Sequence, residues 1–246
     1  MAQQVGTAAL LLIGNELLSG KVHEQNLVEL ARTLRALGIK LSRAVVVLDD
    51  VETIAREIRA LKAEHDVVFT SGGVGPTHDD VTIEAVARAF DVSVSMHPTM
   101  EKLLRDAYKE KTTEGHLRMA LVPEGAELVT TSEVPWPTVV MKDVWVLPGV
   151  PEIFRMKLSV VRAWMKGPLP FVSKAVFTRL EEAALKPLID TVVAAHPDVE
   201  VGSYPKWFDD TYKTKVTFDA RDDAAVERAV ERFVSELPAE HLARIE

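Results

Sequence analysis

The chain has 246 residues, 47% hydrophobic and 27% charged, with a formal net charge of −8 and no cysteine. That length provides one large domain, or a medium and a small one, with a core that needs no covalent staples. The acidic balance argues against a general nucleic-acid or anionic-membrane surface, and the lack of cysteine excludes disulfides, thiolate metal sites and cysteine nucleophiles.

The N-terminal dozen residues carry no basic segment, and the apolar run over residues 8–13 is too short for a signal or a span. A cytoplasmic protein with no membrane partner and no nucleic-acid partner is expected. Thr7–Ile13 is continuously apolar, as in a strand covered on both faces. Leu27, Leu30, Ala31, Leu34 and Leu37 then fall at helical spacing, and Gly38 ends that helix. A β-rich run over 41–48 precedes a second helix over 51–61. A third strand over 66–70 leads to a third helix over 81–90. This alternation predicts an α/β fold: three layers, a mostly parallel sheet, right-handed crossovers. Residues 96–111 read as one helix. Short β-type runs follow at 128–131, 138–141 and 144–147, then a helix from 152 to about 165. Residues 166–170, rich in Gly and Pro, read as a linker, so the expected domains are 1–166 and 171–246. The second is expected to be a small α+β domain in the order βαββα.

In open α/β sheets ligands bind beyond the carboxyl ends of the strands. Three segments fall there: Gly14-Asn15-Glu16, the turn Ser71 to Thr82, and Pro148-Gly149-Val150-Pro151. The turn holds Gly72, Gly73 and Gly75, more glycine than one tight turn needs, just before a helix whose N-terminus favours an anion. Asp79 and Asp80 in the same turn would repel that anion unless a cation lay between. Asp80 and Glu84 are four apart, so on a helix they share a face, and Asp79, Asp80 and Glu84 are candidate Mg²⁺ ligands. Either aspartate serves equally as a helix N-cap. Glu16 is a candidate ligand or base, with a solvated loop carboxylate as its plain alternative. Lys21 and Asn26 are candidates for phosphate or ribose contact, and Asn26 is also placed to cap the first helix. No Gly-Lys-Ser/Thr, Gly-x-Ser-x-Gly or His-Glu-x-x-His occurs, which disfavours a P-loop, a hydrolase elbow and a zinc site. Tyr204 and Trp207 offer rings to stack on a base, although a loop packing its aromatics on its own core is the plainer expectation.

The run Gly72 to Thr82, Gly-Gly-x-Gly-Pro-Thr-x-Asp-Asp-x-Thr, resembles the signature of the molybdopterin-binding-like family that includes MogA, MoaB and the N-terminal part of CinA. Gly14-Asn15-Glu16 with Gly20 and Asn26, and Leu147-Pro148-Gly149-Val150-Pro151-Glu152, resemble its two other blocks. Gly202-Ser203-Tyr204-Pro205-x-Trp207 with Tyr212 and Lys215, and Val134-Pro135-Trp136-Pro137, are similar to the form of this domain fused to eukaryotic FAD synthase. The chain departs from many relatives in having Asn15 for Asp and Glu24-Gln25 for Asp-Thr, and it lacks a Gly-x-Ala-Pro-Gly run after Thr131.

The resemblance implies a MogA/CinA-like fold and one of two activities. One is metal-dependent hydrolysis of a nucleotide pyrophosphate such as FAD or ADP-ribose, releasing AMP, with Mg, Mn or Co as the divalent metal. The other is binding of molybdopterin in cofactor biosynthesis. A third outcome, motivated by Asn15 and Glu24, is a non-catalytic ligand-binding module. For the hydrolase, Asp80, Asp79 and Glu16 are the expected catalytic residues. Gly72, Gly73, Gly75, Thr77, Asn15, Lys21, Asn26, Pro148 and Gly149 are the expected binding residues. A nucleotide or pterin ligand and a homodimer are the expected partners.

Overall fold

In the computed structural model, which describes residues 2–208 and 211–246, two units divide the chain, Met1–Pro168 and Leu169–Glu246. The first is organised by the alternation of side chains along one strand. After β1 (Gln3–Gln4), the strand β2 (Thr7–Ile13) sends Ala8, Leu10 and Leu12 into one core and Ala9, Leu11 and Ile13 into another. Successive strand residues point to opposite faces, so an unbroken apolar run can be buried only between two layers of helix.

The helices supply those layers. α1 (Asn15–Leu18) is a single turn, and α2 (Asn26–Ala36) packs Leu30 and Leu34 on the first core. β3 (Lys40–Val47) is followed by α3 (Val51–Glu64), whose Ile54, Ile58 and Leu61 lie on the second core. β4 (Val67–Ser71) and α4 (Thr82–Ala89) follow, and α4 buries Ala85, Val86 and Ala89 on that same side. The helix expected over 96–111 is observed as α5 (Pro98–Tyr108) with a closing 3-10 turn over Lys109–Lys111; β5 (Val94–Met96) precedes it, and α6 (Glu114–Arg118) and β6 (Leu121–Pro123) follow. His97 caps α5 by accepting from Thr99 N–H, and Thr113 with His116 forms a capping box that starts α6. Then come β7 (Glu127–Val129), β8 (Thr138–Met141), β9 (Val144–Leu147), α7 (Pro151–Trp164) and β10 (Met165–Lys166). Phe154, Leu158 and Val161 of α7 join α2 on the first core.

The main sheet runs β3-β2-β4-β9-β8-β7. β3, β2, β4 and β9 are parallel, β8 is antiparallel to β9, and β7 is antiparallel to β8. The carboxyl ends of β2, β4 and β9 therefore lie side by side. The three-layer, mostly parallel architecture expected from the sequence is the one observed.

The second unit is built from β11 (Val172–Thr178), α8 (Glu182–Ala195), β12 (Glu200–Pro205), β13 (Thr214–Ala220), α9 (Asp223–Glu236) and β14 (Leu242–Ile245). Its antiparallel sheet has the order β12-β13-β11-β14. Val176, Val216 and Phe218 meet Leu185 and Val192 of α8 and Val226, Val230 and Phe233 of α9. The expected βαββα order lacked the last strand. β14 is four residues long and its run, Leu-Ala-Arg-Ile, has no marked alternation, so pairing with β11 defines it.

α7 also carries a buried cation. Lys157 is 4% exposed, and its Nζ donates to the carbonyls of Trp136 (2.5 Å) and Pro137 (2.9 Å). Burial pushes its ammonium down to about 8 from the ordinary 10.5. Between those values the unfolded chain holds more protons than the folded one, so stability rises with pH across that window. Thermal melts should show the difference in Tm between the parent chain and Lys157→Met growing in favour of the parent from about pH 8 to pH 10. A difference independent of pH would contradict this.

Candidate functional site

The groove begins where β2 stops. A β-carbon on Gly14 would stand 2.4 Å from Glu16 Oε1, so a side chain there would displace the Glu16 carboxylate. The Glu16 carboxylate is thus folded back over the strand end, half-buried, and is not a freely solvated loop group. Asn15 faces the neighbouring loop: its N–H donates to Asp49 Oδ2 (2.8 Å) and its Oδ1 accepts from Asp49 N–H (3.4 Å). Lys21 is exposed, with its N–H on the Glu16 carbonyl (2.9 Å).

Asn26 does not cap α2. Glu24 does so from two residues before the helix, taking the N–H groups of Asn26 (2.6 Å) and Leu27 (3.0 Å) on Oε1. This frees the Asn26 side chain for the interior. It is 4% exposed, and its Nδ2 donates to Ser71 Oγ (2.9 Å) and to the Gly149 carbonyl (2.8 Å). Its Oδ1 is buried and has no partner among the described residues. Buried amide oxygens are rarely left so, because the lost solvation is uncompensated.

The glycine turn follows Ser71. Gly72 and Gly73 have φ of 111° and 64°, a region that side chains rarely adopt. A β-carbon on Gly72 would lie 2.1 Å from the Ile13 carbonyl oxygen, and one on Gly149 would lie 3.2 Å from Gly72 Cα. The ends of β2, β4 and β9 thus meet backbone on backbone. Ser71 Oγ donates to the Pro148 carbonyl (3.4 Å), and Gly72 N–H to the Leu147 carbonyl (3.2 Å). Thr82, fully buried, locks the turn from the other side: its Oγ1 donates to the Gly72 carbonyl (2.8 Å) and its N–H to that of Gly73 (3.0 Å).

The acidic pair lies in the outer part of this turn. Asp80 Oδ2 accepts from the N–H (2.7 Å) and Oγ1 (2.5 Å) of Thr77, and it lies 2.8 Å from where a Gly75 β-carbon would stand. Neither aspartate caps α4, whose N-cap is Val81 with no side-chain bond. Asp80 is spent on Thr77 before the helix starts. Hydrogen bonding to the Thr77 hydroxyl and to its own N–H, with His78 adjacent at 3.9 Å, holds the exposed Asp79 carboxyl below its usual range. Because α4 starts at Thr82, Asp80 and Glu84 do not share a helical face, and Glu84 is exposed on the first turn. Among the described residues no three His, Asp or Glu side chains form a metal-holding group, so the set Asp79, Asp80 and Glu84 is not assembled.

The structure therefore gathers Gly14, Glu16, Asn26, Gly72, Gly73, Pro148 and Gly149 at one end of the sheet, with Gly75, Thr77, Asp79 and Asp80 in the loop that leaves it. Asp49 is not singled out by the sequence, and Glu24, Ser71 and Thr82 are named there without the bonding roles they have. For Glu24 a signal existed, a carboxylate just before a helix. In the second unit the hairpin aromatics do not pack on the core as expected: Tyr204 is 58% and Trp207 82% exposed.

Residues 9–165 match the family described as probable molybdopterin binding domain. The chain belongs to this family. Residues 170–246 match a second family, described as FAD synthase, middle domain. A protein of Archaeoglobus fulgidus is 34% identical over 91% of this chain and 95% of its own length. The probable FAD synthase of Caenorhabditis elegans is 29% identical over 96% of this chain, which spans 50% of that relative. The CinA structure from Thermoplasma acidophilum is similar over 65% of this chain and 98% of its own, at 26% identity and a TM-score of 0.59. Family membership thus agrees with the strand-end blocks. Among the described residues no helix is long and apolar enough to cross a membrane.

Asn26→Leu should strand the Gly149 carbonyl and lower stability by about 1–3 kcal/mol. Urea denaturation of the two chains measures this, and a change within error would show that the amide does not hold the seam.

Proposed function

We propose that the first unit binds a nucleotide pyrophosphate of the FAD or ADP-ribose type at this strand-end groove and hydrolyses it to AMP and a second phosphate product. The observation that supports this most is the locked left-handed turn at Gly72-Gly73 with two carboxylates fixed just beyond it. Backbone amides in such a turn bind phosphate oxygens, and the carboxylates make binding conditional on a cation.

The donor set fits a hard divalent ion that takes one or two carboxylates and completes its shell with water and substrate oxygens. Asp80 and Asp79 would hold Mg²⁺, Mn²⁺ or Co²⁺, which when bound supplies charge neutralisation at the phosphates. The chain's own residues do the rest. The turn from Gly72 to Gly75 receives the phosphate and stabilises the charge developing on it. Pro148 and Gly149 form the facing wall. Glu16, folded over Gly14, accepts the proton of the attacking water as its oxygen bonds to phosphorus and the bridging P–O bond breaks.

A second reading, molybdopterin binding, draws support from the family description over residues 9–165. A non-catalytic module is the third, and the engagement of Asn15 with Asp49 favours it, since the N–H and Oδ1 of Asn15 are turned to the neighbouring loop.

The test is AMP release from FAD and ADP-ribose by the full chain with each of the three metals, alongside calorimetry of Mn²⁺ and of pterin. Turnover is expected, and Asp80→Asn should lower kcat/KM by about 100-fold and weaken Mn²⁺ binding. Pterin binding without turnover would replace this reading with the second. Nucleotide binding without turnover would replace it with the third.

A further inference from the structure

The segment between β7 and β8 cannot join the sheet. Its core, Val134-Pro135-Trp136-Pro137, has two residues with no N–H to give to a ladder, and the carbonyls of Trp136 and Pro137 take their donors from outside the sheet. α7 supplies them. Trp164 Nε1 donates to the Thr130 carbonyl (3.2 Å), and Lys157 Nζ donates to those of Trp136 and Pro137. Inside the segment, Val134 is buried and its N–H bonds Thr131 Oγ1 (3.1 Å).

Register fixes where this segment lies. Val139 is opposite Val146, so Thr138 and Leu147 are the next residues outward on each strand. Trp136-Pro137 on one strand and Pro148-Gly149 on the other therefore run past the same sheet end. Lys157 sits on α7, which begins at Pro151, two residues after Gly149. A buried ammonium there is costly, and a hydrophobic residue of similar volume would pack without that cost. What the lysine adds is a donor long enough to reach two carbonyls from the helix.

We propose that Lys157 is a positioning residue for the strand-end site: by holding the carbonyls of Trp136 and Pro137 it fixes the border of the wall that Pro148 and Gly149 present to a bound nucleotide. This rests on the nucleotide reading given above. The lysine touches no reacting atom; it acts through the segment that it clamps.

The test compares the full chain with Lys157→Met and with Lys157→Arg, which retains donors. Two quantities are read: amide exchange in peptides covering residues 130–137, with Val67–Ser71 as control, and the Kd of Mg²⁺ with ADP-ribose by calorimetry. Lys157→Met should speed exchange in 130–137 by about tenfold, leave the control strand unchanged and weaken the probe about fivefold. Lys157→Arg should recover most of both. If Lys157→Met does not fold, Lys157→Gln, whose amide is too short to reach both carbonyls, should show the same pattern. Faster exchange with unaltered affinity would overturn the positioning role and leave a brace. Failure of the parent chain itself to bind the probe would overturn the nucleotide reading and the role with it.

Discussion

The first unit depends on the contact between Gly72 and the Ile13 carbonyl, where two strand-end backbones approach more closely than a side chain on Gly72 allows. The turn after β4 sits above the Ile13 carbonyl on one side and against Gly149 on the other. Three parallel strands can end this close together only because Gly72 and Gly149, just beyond β4 and β9, carry no bulk. Asn26 then closes the seam by bonding one residue from each of the two strand ends. The result is a strand-end seam of mutually bonded backbone held rigid from below, and rigid backbone dipoles are the kind of setting that suits an anion.

The acidic turn builds on that seam. Asp80 is oriented by two bonds from Thr77 before any ligand arrives, so its carboxylate is not free to sweep the groove. Such fixing lowers the entropy cost of binding a cation there. It also separates Asp80 from Glu84, and that separation turns a three-carboxylate cage into a smaller protein donor set. On the proposed reading, a cation held by so few protein oxygens would depend on its substrate for the remainder of its shell, and cation and phosphate binding would support each other. Asn15, by contrast, is exposed and pairs reciprocally with Asp49 through its N–H and Oδ1, so the residue that departs from many relatives also braces the loop after β3.

The second unit follows a different logic. Its sheet is antiparallel and its helices cover one face, with Phe218 and Phe233 edge to face at 5.4 Å in the core. On the opposite face Phe177 and Tyr212 meet at 4.9 Å, and the Arg244 guanidinium lies 3.8 Å from the Phe177 ring centroid. The exposed Tyr204 and Trp207 belong to the hairpin that joins β12 to β13, outside that core.

Local chemistry determined much of this protein. The apolar run of β2, the helical spacing of α2, α3 and α7 and the glycines after β4 each act within a few residues, and from them follow the α/β alternation, the strand-end location of the site and its glycine floor. Caps and partners were decided elsewhere. Whether Asp80 caps a helix or bonds Thr77 depends on where α4 begins, and Thr82 sets that by bonding back to Gly72 and Gly73. Asn26 looks like a cap in sequence, yet its partners are 45 and 123 residues away. Lys157 looks like a surface lysine until the proline-broken segment before β8 folds over it. In each case the deciding quantity is the hydrogen-bonding need of a buried backbone group, and only the packed tertiary structure says which groups are buried and what lies beside them.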